Sequence, residues 1–126
     1  MLLKKLKILE IGCNLGYVGA HFIKQKHNYI GIDIQKKAIK EARKNYGNFF
    51  YNIAFENLYK KIKNQKFDLI TVFGVTHHLP SKSFRKKWFQ ELTELSSNKG
   101  IIILSFWNFN QDKNDLNFFP QEYKVE

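Results

Sequence analysis

The sequence predicts an α/β fold on a mostly parallel sheet, because five apolar strand-like runs alternate with four segments of helical periodicity. A second observation points the same way: the first two runs each carry a carboxylate near their end, and the first passes at once into a turn punctuated by glycine. The runs lie at 6–11, 29–34, 48–52, 67–73 and 100–107, and 126 residues suffice for one such domain around one core.

The first run, Lys7-Ile8-Leu9-Glu10-Ile11, leads into Gly12-Cys13-Asn14-Leu15-Gly16. Glycine lets backbone approach a ligand closely, while Glu10 is placed to accept hydrogen bonds from it. Val18, Phe22 and Ile23 recur at helical spacing, so a helix is expected over 17–26 with its N-terminus toward that ligand. The second run, Tyr29-Ile30-Gly31-Ile32-Asp33-Ile34, puts Asp33 about twenty residues beyond the turn, the distance expected of a ribose-binding acid in a βαβ unit.

The helix expected over 36–46 carries Ala38, Ile39, Ala42 and Tyr46 on one side and Lys37, Lys40, Glu41 and Lys44 away from it. After the third strand, 56–63 reads as a short helix held by Leu58 and Ile62. Ser81 is positioned to cap the last helix, in which Phe84, Trp88, Phe89, Leu92 and Leu95 form a core stripe. Asn98-Lys99-Gly100 is expected to break the chain before the fifth strand. Beyond Trp107 the sequence turns polar, so 1–107 reads as the domain and 108–126 as a loosely held tail anchored only by Phe118, Phe119, Tyr123 and Val125.

Lys and Arg total 21 against 11 Asp and Glu, a formal charge of +10. That balance attracts polyanions such as RNA, although it speaks to solubility and non-specific attraction rather than to fold, and the abundance of Lys, Asn, Ile, Phe and Tyr is also what A/T-rich coding would produce. The single cysteine, Cys13, cannot close an internal disulfide and has no zinc-ligand spacing around it, so no metal is expected and a small buried side chain is. No apolar run approaches a membrane span and no signal-peptide segment opens the chain, so a soluble cytoplasmic protein is expected, with no membrane partner.

Taken together, Glu10-Ile11-Gly12-Cys13-Asn14-Leu15-Gly16, Gly31-Ile32-Asp33, Phe67-Asp68-Leu69-Ile70 and Val75-Thr76-His77-His78-Leu79-Pro80 resemble class I S-adenosylmethionine-dependent methyltransferases in order and spacing. Within that superfamily, the stretch from His77-His78 to Arg85, then Phe89-Gln90-Glu91-Leu92 and Leu104-Ser105-Phe106-Trp107, looks like the tRNA wobble-uridine carboxymethyl methyltransferases. The resemblance implies a Rossmann-like methyltransferase sheet with strand order 3-2-1-4-5, S-adenosylmethionine as cofactor and tRNA as partner. By the same resemblance Glu10, Gly12, Cys13, Asn14 and Gly16 would wrap the methionine portion and Asp33 would accept hydrogen bonds from the ribose hydroxyls. Ile34 and Ile53 would flank the adenine and Phe73 would stand near the methyl group. His77, His78, Arg85 and Trp107 are the candidates for substrate contact, with Arg85 holding an anion through its donor fork and Trp107 stacking on a base.

Each role has an ordinary structural counterpart: an acid at a strand end can cap the next helix, paired histidines can be structural, and Phe73 and Trp107 can simply pack. The chain also departs from the family pattern. Asn14 replaces the usual middle glycine, tolerating left-handed backbone while bringing a side chain beside the cofactor, and Asn52-Ile53-Ala54 lacks the usual adenine-binding acid. Length leaves room for five strands and not the last two of the complete fold, so 101–106 is expected to be an apolar edge open to a protein partner or a second copy. A non-catalytic, methyltransferase-like binding or scaffold subunit is therefore the alternative function. A nicotinamide-dinucleotide fold is disfavoured because Asn14 and Tyr17 stand where the second and third glycines belong.

Overall fold

A computed structural model describes residues 4–73 and 81–105. In order they form β1 (Lys7–Ile11), α1 (Tyr17–Lys24), β2 (Asn28–Asp33), α2 (Lys36–Tyr46), β3 (Phe50–Asn52), α3 (Phe55–Ile62), β4 (Phe67–Phe73), α4 (Lys82–Leu95) and β5 (Ser96–Ser105). The strands make one sheet in the order β3-β2-β1-β4-β5, every pairing parallel. This is the expected α/β, Rossmann-like sheet with strand order 3-2-1-4-5. The candidate tail at 108–126, and with it His77, His78 and Trp107, lies outside the described residues.

Side chains alternate across each strand, so the sheet separates two apolar layers. On one face Ile8, Tyr29 and Phe50 meet Ile39 and Ala42 of α2 and Phe22 and Ile23 of α1. On the other, Leu9, Ile11, Ile32, Ile70 and Val72 meet Phe55, Leu58 and Ile62 of α3 and Trp88, Phe89, Leu92 and Leu95 of α4. The α4 stripe is core as expected, and the Ser81 hydroxyl accepts the Phe84 N–H at 3.1 Å, satisfying one of the helix's orphan donors.

Several boundaries differ from the sequence reading. α1 ends at Lys24, and Val18 is exposed because Gly19 is the residue that presses on the sheet. β2 starts one residue earlier, at Asn28, and closes at Asp33, whereas β3 begins only at Phe50. β5 starts at Ser96, directly after Leu95, so Asn98-Lys99-Gly100 does not precede the strand but lies inside it. There Phe67 pairs with Ser96 and Leu69 with Ile101, so the excess residues of β5 are absorbed as a bulge.

Among the described residues β5 pairs with β4 alone, and Ile101 and Ile103 are each almost half exposed, at 47% and 45%. Ile103→Lys is expected to change unfolding free energy by less than about 0.5 kcal/mol, as for an ordinary surface site. In sedimentation the same substitution should oppose any pairing of two copies through this edge, because a charge on an edge disfavours it. A loss of about 2 kcal/mol or more in urea denaturation would mean instead that this face is covered. No helix among the described residues is long and apolar enough to cross a membrane.

Candidate functional site

The carboxyl ends of β1 and β2 meet at one point, and hydrogen bonds lock them there. The Gly12 and Cys13 amides both donate to the Ile32 carbonyl, at 2.9 and 3.0 Å, and the Gly16 amide donates to the Cys13 carbonyl at 3.0 Å. The turn alternates into left-handed backbone at Gly12 (φ 81°), Asn14 (φ 50°) and Gly16 (φ 85°). Asparagine is among the few side-chain-bearing residues that adopt this conformation readily, so Asn14 fits the turn in place of glycine and leaves its side chain exposed. At Gly16 a Cβ would come within 2.9 Å of the Phe50 ring and 3.1 Å of the Ala42 methyl, so glycine also sets how closely the turn seats on α2 and β3.

Asp33 closes the other side. Its Oδ2 accepts the Asn14 amide at 2.9 Å and its Oδ1 the Gln35 amide at 2.9 Å, while its backbone carbonyl accepts Asn52 Nδ2 at 3.0 Å. The carboxylate therefore both braces the start of α2 and fixes the glycine turn, and each oxygen keeps a further lone pair for a ligand. Next to it Ile34 is 75% exposed, a bare apolar side chain just past the end of β2. Ile53 is half-buried against the core, and Phe73 is half-buried at the end of β4, paired in register with Ser105. Asn52, in the segment that lacks the family's usual acid, ties β3 to Asp33.

Glu10 is buried, not exposed at the turn as its expected contact with a ligand would need. It is 2% exposed, and its Oε1 accepts the Tyr29 hydroxyl at 2.5 Å. Burial raises its carboxyl from an ordinary 4.5 to about 7; the nearby Asp33 charge adds to the rise and the Tyr29 hydrogen bond opposes it. Because the folded value lies above the unfolded one, Glu10 favours the native state most below about pH 4.5, and this contribution disappears as pH climbs through about 7. The shift corresponds to about 3 kcal/mol. Urea denaturation from pH 5 to 8 should show that decline, and Glu10→Gln should flatten it.

Cys13 is a buried free thiol pushed up to about 12, chiefly by burial and then by the Glu10 and Asp33 charges, so it is packing and not a nucleophile. Arg85 lies half-buried on α4, four residues past the capping Ser81, whose carbonyl accepts the Arg85 amide at 3.0 Å. Among the described residues no group of three or more His, Cys, Asp or Glu is arranged to hold a metal. Tyr29 and Thr71 went unremarked in the sequence. Thr71 stands beside Glu10 in register, buried, with no hydrogen-bond partner for its hydroxyl among the described residues. Hydrophobic pattern marks both positions only as strand, because their nearness to Glu10 comes from strand pairing.

These strand ends lie where open α/β sheets bind ligands. A family model described as a methyltransferase domain matches residues 9–102. The ubiquinone biosynthesis O-methyltransferase of Pelagibacter ubique (strain HTCC1062) is 29% identical over 110 residues, covering 84% of this chain and 44% of that protein. Among solved structures, the TehB-like SAM-dependent methyltransferase from Corynebacterium glutamicum superposes with a TM-score of 0.72 at 21% identity, over 94% of this chain and 65% of that one. PKMT2 from Rickettsia typhi, solved in complex with AdoHcy, gives 0.68 at 26% identity, over 82% and 21%. The chain spans less than half the length of the curated relative. With the family match running from the first strand into the fifth, the chain belongs to the methyltransferase-domain family.

Proposed function

We propose that this chain binds S-adenosylmethionine between its glycine turn and Asp33 and forms the methyl-transferring domain of an S-adenosylmethionine-dependent methyltransferase. The observation that carries the reading is Asp33: two backbone amides hold its carboxylate at the strand ends with lone pairs to spare, as recognition of a ribose diol requires. The residues around it suit the rest of the cofactor. Gly12 and Gly16 keep side chains out of the turn, and Ile34 offers an exposed apolar surface to a nucleobase. When bound, S-adenosylmethionine supplies an electrophilic methyl group. The chain's own contribution is alignment, which dominates when the acceptor already bears a nucleophilic oxygen.

An oxygen acceptor is the reading we favour, supported by the likeness to a protein named as an O-methyltransferase. The finer reading, a carboxylate on tRNA, draws on the sequence around Arg85 and on the +10 charge. Calorimetric titration with S-adenosylhomocysteine should give saturable binding, and its absence at millimolar ligand would overturn the proposal. Transfer of labelled methyl to total tRNA or to phenolic small molecules then separates the acceptors. A methyl ester is released by mild alkali, whereas an aryl methyl ether survives it. Binding with transfer to neither would favour a scaffold subunit.

A further inference from the structure

We infer that Tyr29 is a positioning residue for the cofactor site, its hydroxyl holding the Glu10 carboxylate in place beneath the glycine turn. The inference rests on the cofactor reading above, and it starts from an oddity of packing. Tyr29 is 3% exposed, stacked on Phe22 with ring centroids 6.0 Å apart and edge-on to Phe50 at 5.7 Å. Its hydroxyl nonetheless passes between two elements to reach Glu10 at 2.5 Å.

Two glycines open that passage. A Cβ at Gly19 of α1 would lie 2.4 Å from the Tyr29 hydroxyl and 2.5 Å from the ring carbon bearing it, and a Cβ at Gly31 of β2 would lie 2.5 Å from the hydroxyl. Glycine weakens both helix interiors and strand interiors. Here both occur where a single phenolic oxygen needs room. A phenylalanine would fill the ring's space equally well, so packing alone accounts for the ring but not for the buried hydroxyl, whose partner is Glu10.

Glu10 lies one residue before the turn, and the ionisable groups acting on it are Tyr29, Asp33 and the Cys13 thiol, with Thr71 beside it on β4. Burial and Asp33 favour its neutral form, and the Tyr29 hydrogen bond favours the carboxylate. Ionised Glu10 places negative charge under a turn expected to hold the amino-acid end of the cofactor, whose ammonium group S-adenosylmethionine and S-adenosylhomocysteine share. Loss of the hydroxyl leaves the ring in place while freeing the side chain and keeping it neutral to higher pH.

Tyr29→Phe, Glu10→Gln and Asp33→Ala test this through urea-denaturation pH profiles of the free protein and calorimetric affinity for S-adenosylhomocysteine at pH 7 and 8.5. Tyr29→Phe should fold and move the midpoint of the stability profile up by about one unit, the scale of one hydrogen bond to a charged group. Affinity should then fall about fivefold at pH 7 and return to within about 1.5-fold at pH 8.5, as a one-unit shift from about 7 requires. Glu10→Gln should flatten the profile and bind weakly at both pH values. An unchanged profile and affinity in Tyr29→Phe would overturn the inference, as would an equal loss at both pH values, the mark of packing alone. Wild-type affinity in Asp33→Ala would instead remove the cofactor from this turn. If Asp33→Ala abolishes binding while Tyr29→Phe has no effect, only the role of Tyr29 fails.

Discussion

Gly31→Val is expected to destabilise the fold by about 3–5 kcal/mol, combining the cost of overpacking with that of a lost buried charge-assisted hydrogen bond. Gly31 sits mid-sheet, paired with Glu10 on β1 and Phe50 on β3. Even the first added carbon would lie 2.5 Å from the Tyr29 hydroxyl and 3.0 Å from both the Cys13 Cβ and the Phe50 ring. None of the three has room to retreat, since their exposures are 3%, 5% and 0%. Displacing Tyr29 would also strand Glu10. For a domain whose total stability is of order 5–15 kcal/mol, this is a large fraction, and urea denaturation would register it. A loss below about 1 kcal/mol would mean that the slot is far softer than its packing suggests.

Asp33→Ala is expected to weaken S-adenosylhomocysteine binding by at least about 100-fold, because hydrogen bonds to a charged group contribute about 1.5–3 kcal/mol each and two are in prospect. The same substitution releases the Asn14 and Gln35 amides, loosening the glycine turn and the start of α2 together. Asp33→Asn separates these effects. It keeps one acceptor oxygen but turns an amide donor toward an N–H, so it should bind with intermediate affinity while disturbing the turn less than alanine does. Calorimetry at fixed pH distinguishes the three proteins, and near-wild-type affinity in Asp33→Ala would take Asp33 out of the site.

Much of the architecture was legible because it rests on periodicity. β4 runs from Phe67 to Phe73 and α2 from Lys36 to Tyr46, as their patterns indicate, and the spacing of Trp88, Phe89, Leu92 and Leu95 identifies the buried side of α4. The strand order follows from the resemblance carried by Gly12, Asp33 and the segment after β4. What pattern could not supply was the consequence of contacts between distant elements. Asn98-Lys99-Gly100 has the composition of a break, yet pairing of Ser96 and Ile101 with β4 on either side carries it as the bulge of a continuous strand. Val18 reads as a core residue of α1, whereas the nearest approach to the sheet falls on Gly19, where hydropathy gives no signal. In the candidate site, the place of Asp33 at the end of β2 was legible from the apolar run before it. The burial of Glu10 was not, because its partner is nineteen residues away on another strand and announces itself only as a tyrosine in an apolar run.

Gly19, Tyr29, Gly31 and Glu10 also constrain how relatives of this chain can diverge. A sequence that replaces the tyrosine with a smaller side chain no longer needs glycine at the two positions flanking the passage, and its acid no longer has a fixed donor. A sequence that acquires a side chain at position 19 or 31 must first have lost the tyrosine. The four positions should therefore change as a set along any lineage, with the tyrosine going first. Covariation among them, on a helix and two strands, would record the route of one hydroxyl.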